Sequence, residues 1–320
     1  MTTRRSFCVG LASTALLGGC SNVRPSPIRI LDTHTHFYDP TRPGGVKWPP
    51  ASEPRLYRPV LPPEFQRIAE PLGIAGTVVV EASPDEADNA WVLGLMPQYP
   101  FLRGLVGHLK PGTPDFAKNL RRDASNPAFR GFRTGGWDGP LDTAKPGFLE
   151  DCRDVMGVGG LIEVLVGPDR LDQVEILAAQ KDYPTMAAEG VHTQIVIDHC
   201  ANLPIDGKAP PKAWLDGMDR CARHAHVHCK FSGLVEGTGR KDGTAPDDPA
   251  FYAPAFNALW DRFGPERLIF GSNWPVSALF APLDRVVGIA RSLVESRGAS
   301  VAHRCLRTNG ERVYGVSLAP

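Results

Sequence analysis

The chain has 320 residues, with 35 basic and 35 acidic side chains, so its formal net charge is zero. No basic stripe offers a track for a nucleic-acid backbone, and no apolar run beyond the N-terminus is long enough to span a bilayer. Glycine (33) and proline (31) together exceed average usage without reaching a disordered composition, which predicts long, structured loops on a regular core.

The first 20 residues read as an export signal: a charged start at Arg4 and Arg5, an apolar run from Val9 to Leu17, and small residues before Cys20. Thr3-Arg4-Arg5-Ser6-Phe7 resembles a twin-arginine signal, and Leu17-Gly18-Gly19-Cys20 resembles a bacterial lipobox. By that resemblance Cys20 carries the lipid and becomes the first mature residue. Ser21 in place of aspartate favours the outer membrane. A plain cleaved signal with an incidental Cys20 is the alternative. Residues 21–27 form a short linker that keeps the folded part close to the bilayer. Past Cys20 the cysteines are Cys152, Cys200, Cys221, Cys229 and Cys305, an odd number with no Cys-x-x-Cys pair. A disulfide framework and a cysteine-held zinc are both disfavoured, and buried free thiols are expected.

From residue 28 onward, short β-branched runs alternate with helical patterns. Strands are predicted at Ile28–Asp32, Thr77–Glu81, Arg103–Val106, Phe129–Arg133, Gly160–Leu165, Thr193–Asp198, Val227–Phe231 and Leu268–Phe270. Helices are predicted between most of them: Pro62–Leu72, Ala87–Met96, Leu171–Ala179, Trp214–His224, Pro254–Phe263 and, after the last strand, Leu283–Val294. No composition shift interrupts the rhythm over 28–320. The expectation is a single-domain α/β fold, a (β/α)₈ TIM barrel.

Sites in such barrels sit at the C-terminal ends of the strands. Asp32-Thr33-His34-Thr35-His36 ends the first strand, and alternation points Asp32, His34 and His36 the same way. Two imidazoles so placed can grip one metal ion or one substrate oxygen. Glu81, Arg133 and Asp198-His199 end the second, fourth and sixth strands. Glu163 lies within the fifth and Lys230 late in the seventh; Ser272-Asn273-Trp274-Pro275 follows the eighth. His224, His226 and His228 alternate like a metal comb but fall at the opposite end of the barrel, so structural roles are expected. His108 is an outside candidate, while His192 and His303 read as structural. Lys230 either touches substrate or packs its stem while its amine reaches water. Two long loops, Phe37–Leu61 with Trp48 and Glu236–Ala250, rise from the active face as walls or lids.

Together, Asp-x-His-x-His, Val78-Val79-Val80-Glu81-Ala82, Arg130-Gly131-Phe132-Arg133, Ile197-Asp198-His199, Cys229-Lys230-Phe231-Ser232-Gly233 and Phe270-Gly271-Ser272-Asn273-Trp274-Pro275-Val276 resemble the amidohydrolase superfamily. More narrowly they are similar to its lactonase branch, over about residues 28–316, with Asn309–Gly315 matching the usual close. The resemblance implies a hydrolase that opens a lactone of a sugar acid or related carboxylate-bearing ring. It implies His34, His36 and His199 as ligands of one divalent metal, zinc in the first instance, or as metal-free polarisers of the carbonyl. Catalytic residues are then His34, His36, Glu81, His199 and Asn273; Arg133, Lys230, Trp48 and Trp274 meet the substrate. A small molecule is the expected partner, with the membrane reached through the lipid anchor. Amide hydrolysis, decarboxylation, and a non-catalytic binding lipoprotein for sugar lactones or acids are the alternatives.

One position departs from the pattern. The eighth-strand residue is usually an aspartate that activates water, and here it is Asn273, whose carboxamide accepts no proton at neutral pH. Three explanations stand open. A metal-bound hydroxide supplies the nucleophile; or another carboxylate, Glu81 first and Glu163 second, takes the base role; or hydrolysis has been lost and only binding remains.

Overall fold

A computed structural model describes residues 28–136, 139–181, 183 and 194–318. Arg4, Arg5, Cys20 and His192, with the expected signal and linker, lie outside the described residues. Apolar β-branched runs suit strands buried on both faces, and eight of them form one sheet: β1 (Ile30–Thr35), β2 (Ile74–Val80), β3 (Leu102–His108), β4 (Phe129–Thr134), β5 (Leu161–Val164), β6 (Ile195–Ile197), β7 (Val227–Lys230) and β8 (Leu268–Ile269). Each pairs in parallel with the next in chain order. Backbone bonds from Thr33 N to Phe270 O (3.1 Å), Asn273 N to His34 O (2.8 Å) and His36 N to Trp274 O (2.9 Å) carry the chain after β8 back onto β1.

Among the described residues a main helix follows each strand: α1 (Pro62–Ala69), α2 (Glu86–Leu95), α3 (Phe116–Ala124), α4 (Phe148–Gly157), α5 (Leu171–Ala178), α6 (Lys212–Ala222), α7 (Pro249–Phe263) and α8 (Leu283–Glu295). This is the expected (β/α)₈ barrel. Its main core lies between sheet and helices, where Phe65, Phe116, Trp214, Met218 and Phe256 are buried. A second apolar cluster, including Val106, Leu161, Val196 and Ile269 with Val313 and Tyr314, fills the barrel's lower interior. Val106, Leu161 and Val196 lie two residues before His108, Glu163 and Asp198, hence on the same strand faces. The lower interior is therefore packed, and the polar layer begins immediately above it.

Boundaries moved where local signals misled. β1 runs on to Thr35 because its polar side chains find partners inside the sheet: Thr33 Oγ1 donates to Phe270 O (2.7 Å), and the Thr35 and Thr77 hydroxyls bond each other (2.8 Å). Helix α7 starts at Pro249, not Pro254, because Asp248 caps it by accepting from Ala250 N at 2.9 Å. Helices α3 and α4 sit between proline- and glycine-rich stretches that read as loop.

Candidate active site

The deepest polar layer is a closed charge cluster. Lys230 Nζ lies 2.7 Å from Glu163 Oε1, 3.1 Å from Asp198 Oδ1 and 2.9 Å from His34 Nδ1, and all four side chains are fully buried. Tyr314, from the C-terminal helix Asn309–Tyr314, donates to Glu163 Oε1 at 2.6 Å. Burial, with Asp198 adding to it, pushes the Glu163 carboxyl up to about 7. Burial alone would raise Asp198 too, but Lys230 and His34 beside it outweigh that and hold it well below the usual carboxylate range. Asp32 closes the layer, accepting from His34 N (3.1 Å) and Ser272 N (2.8 Å); burial lifts it to about 6.

Above this layer opens a cavity of about 480 Å³, a size that suits a small ligand. Arg133 stands in its wall, braced from behind: Nε and Nη2 lie 2.7 and 2.6 Å from Glu81 Oε1, Nη2 donates to the Glu81 carbonyl (3.1 Å), and Nη1 is 3.8 Å from Asp198 Oδ2. His36 donates from Nδ1 to Val80 O (3.0 Å) and turns Nε2 toward Asn273 Oδ1 (3.1 Å). Burial, then the nearby Arg133 charge, pushes His36 down to about 3. His199 Nδ1 bonds Ser232 Oγ at 2.8 Å, and burial brings its ring down to about 4. Both rings are neutral at neutral pH. Trp48, Leu165, Leu203, Val276 and Phe280 supply apolar wall.

The backbone around His199 is strained. His199, Cys200, Ala201 and Asn202 all have φ between 48 and 55°. Left-handed geometry costs about 1–2 kcal/mol per ordinary residue. It is held here by Trp214 Nε1 donating to Cys200 O (2.9 Å) and Asn202 Nδ2 donating to Val166 O (3.0 Å). Gly233, at φ +68°, lets the β7 loop pass against this turn; a Cβ there would lie 2.7 Å from the His199 Cβ. Asn273 also has a left-handed φ of 58°, which asparagine tolerates well.

The structure places His36, Arg133, His199 and Asn273 in the cavity wall, with His34 in the layer beneath it and Glu81 against Arg133. Three buried side chains have ligand atoms within 4.8 Å of one another: His34, Asp198 and His199. His36 is outside that set, since both its nitrogens face other partners, and Asp198 stands in the place expected for it. Two imidazoles and a carboxylate suit a divalent cation, and His34 Nε2 is a buried nitrogen with no hydrogen-bond partner. The Lys230 amine competes with such a cation for Asp198 and His34. Of the expected substrate contacts, Arg133 and Trp48 line the cavity. Lys230 lies beneath it with its amine away from water, and Trp274 is behind it, stacked on Phe65 at 4.9 Å. Both long loops wall the mouth; Tyr38 pairs with Val60 to fold the first back, and the second contributes Glu236 and Gly237.

His108 ends β3, buried beside Arg133 in the register. His224 and His226 stack at 5.9 Å below the barrel, and His228 is buried in β7 and pushed down to about 3 by burial; among the described residues they form no metal set. All five described cysteines are free and buried.

An eight-stranded barrel whose strand ends carry acid, imidazole and guanidinium groups around a small cavity has the form of a site for a small polar molecule. The chain belongs to the amidohydrolase family, whose model matches residues 31–316. It is 32% identical over 251 residues to an L-fucono-1,5-lactonase of Burkholderia ambifaria, covering 78% of this chain and 81% of that one. A 4-sulfomuconolactone hydrolase of Rhizobium radiobacter is 28% identical over 301 residues, covering 89% of each chain. Among solved structures, a zinc-bound amidohydrolase from Burkholderia multivorans superposes with a TM-score of 0.76 at 25% identity, over 90% of this chain and 99% of that one.

Proposed function

We propose that the protein opens the lactone ring of a sugar acid or a related carboxylate-bearing ring by adding water to its carbonyl. The observation that carries this reading is Arg133: a guanidinium braced by Glu81 in the wall of the cavity, placed to meet a carbonyl oxygen as it gains negative charge. Trp48 and Phe280 give the C–H faces of a ring an apolar seat. A divalent cation held by His34, Asp198 and His199 would supply Lewis-acid polarisation of the carbonyl. The relatives named for lactone hydrolysis support the same chemistry. A panel of aldono-1,4- and 1,5-lactones and unsaturated dicarboxylate lactones, followed by proton release at neutral pH, tests it. At least one lactone is expected to reach a kcat/KM of about 10⁴ M⁻¹ s⁻¹ or more. Binding of lactones without turnover would overturn the reading in favour of a binding protein.

The reading extends to where the enzyme works. Arg4-Arg5 and Leu17–Cys20 support twin-arginine export and a lipid on Cys20, which would place the barrel on the periplasmic side of the outer membrane. Cys20→Ala is expected to move the protein from the membrane fraction to the soluble periplasm. A wild-type protein that is already soluble and carries no lipid would refute the anchor.

A further inference from the structure

The family pattern's water-activating carboxylate is missing at Asn273, and the two substitutes the sequence offered are both committed elsewhere. Glu81 holds Arg133, and Glu163 is buried against Lys230 and Tyr314 beneath the cavity. A third carboxylate stands beside the vacant position. Glu236, the first residue of the β7 loop beyond Val235, lies in the cavity wall, and its Oε1 accepts from Asn273 Nδ2 at 2.8 Å. Its other oxygen, Oε2, is buried and has no hydrogen-bond partner. We propose that Glu236 is the general base of the lactonase reaction, the carboxylate having moved from the eighth strand to the seventh loop; this rests on the lactonase reading above.

The chemistry balances without a co-reactant. The Glu236 carboxylate takes a proton from water as the water oxygen bonds to the ring carbonyl carbon. The carbonyl electron pair moves onto the oxygen facing Arg133. As the tetrahedral centre collapses, the ring C–O bond breaks and Glu236 returns its proton to the departing alkoxide oxygen, giving the hydroxy acid.

The amide at residue 273 serves this role better than a carboxylate would. Two carboxylates in contact share one proton and split their titration, whereas the amide orients Glu236 without competing for protons. The amide also links two protonation states. Val80 O can only accept, so the His36 Nδ1 carries the ring proton and Nε2 is a lone pair. Turned over, Asn273 would donate Nδ2–H to that lone pair and accept the Glu236 proton on Oδ1; in the orientation that donates to the Glu236 carboxylate, the His36 lone pair faces Oδ1 and has no donor. Burial pushes Glu236 up to about 7, where a base works best near neutral pH. The groups around it are Asn273 with His36 behind it, Cys200 and Tyr252 on packed elements, and His199 and Arg133 elsewhere on the cavity wall. His36 and His199 titrate well below 7, Cys200 and Tyr252 well above neutrality, and Arg133 stays charged.

The test compares wild type, Glu236→Gln, Asn273→Asp and the double variant on the best lactone of the panel, with kcat/KM followed from pH 5 to 9 and folding checked by thermal unfolding. Wild type is expected to show an acid limb near pH 7. Glu236→Gln should lose about a hundredfold to ten-thousandfold in kcat and lose that limb. In the double variant the carboxylate returns to position 273 and at least tenfold of the loss should be recovered. Glu236→Gln within threefold of wild type, an unaltered acid limb, or a double variant no better than Glu236→Gln would each overturn the base assignment. A wild type that opens no lactone at all would remove the lactonase reading and the assignment with it. A folded wild type that is active beside an equally active Glu236→Gln removes only the assignment.

Discussion

Lys230→Met is expected to destabilise the protein by about 3–5 kcal/mol, the range for removing one partner of a buried ion pair. A typical domain is stable by about 5–15 kcal/mol in all, so this is a large fraction of the whole. Methionine keeps most of the stem's volume, so little of the effect comes from a cavity. What is lost is the amine that lies 2.7 and 3.1 Å from Glu163 and Asp198, in a place with no exposure. The pH dependence identifies the cause. Glu163 titrates near 7 in the folded protein and near 4.5 as an ordinary glutamate. Its folded form therefore prefers the proton, and its ionisation lowers stability as pH rises from about 4.5 to 7. Without Lys230 that loss deepens and extends to higher pH. Urea unfolding should show the variant least impaired near pH 5 and most impaired near pH 8, with Glu163→Gln in the Lys230→Met background recovering part of the loss. An equal loss at both pH values would mean that the lysine acts through packing alone.

That cluster also marks where the sequence stops being readable. The barrel was legible because eight β-branched runs, each followed by room for a helix, satisfy few other architectures. The mouth was legible because polar residues at strand ends have no place in an apolar core. What the sequence left open was depth. Lys230 and Arg133 are both cations near the ends of inward-facing strands, yet one sits under the cavity bonded to Glu163 and the other in its wall bonded to Glu81. Strand stagger around the barrel sets that difference, and residue order does not record it. Asp198 was visible only as the neighbour of His199; its approach to His34, 3.5 Å away across the barrel interior, is one that residue order does not record. Glu236 was hidden for a related reason. A glutamate at the start of a polar loop reads as solvated, and only the fold back of that loop onto Asn273 buries its carboxyl oxygen.

Arg133→Gln is expected to reduce kcat by about a hundredfold to a thousandfold, the usual effect of removing a donor aimed at a developing oxyanion. The reduction should fall on kcat more than on KM, because the carbonyl oxygen gains its charge only on the way to the transition state. Glu81 then has a different role from the one its strand-end position suggested. It grips the guanidinium through Oε1 and its own carbonyl, so it is a positioning residue for Arg133. Glu81→Gln retains an oxygen that can accept from Arg133, and should cost about tenfold, the low end for a supporting partner of a catalytic group. The pair should also be non-additive. Once Arg133 is gone Glu81 has nothing to position, so Arg133→Gln with Glu81→Gln should be scarcely slower than Arg133→Gln alone. Steady-state kinetics on the four proteins decides this. Additive losses, or a Glu81→Gln that by itself removes the acid limb of the pH profile, would return Glu81 to the role of proton acceptor. Retention of the limb in Glu81→Gln leaves Arg133 as the oxyanion's partner and Glu81 as the group that aims it.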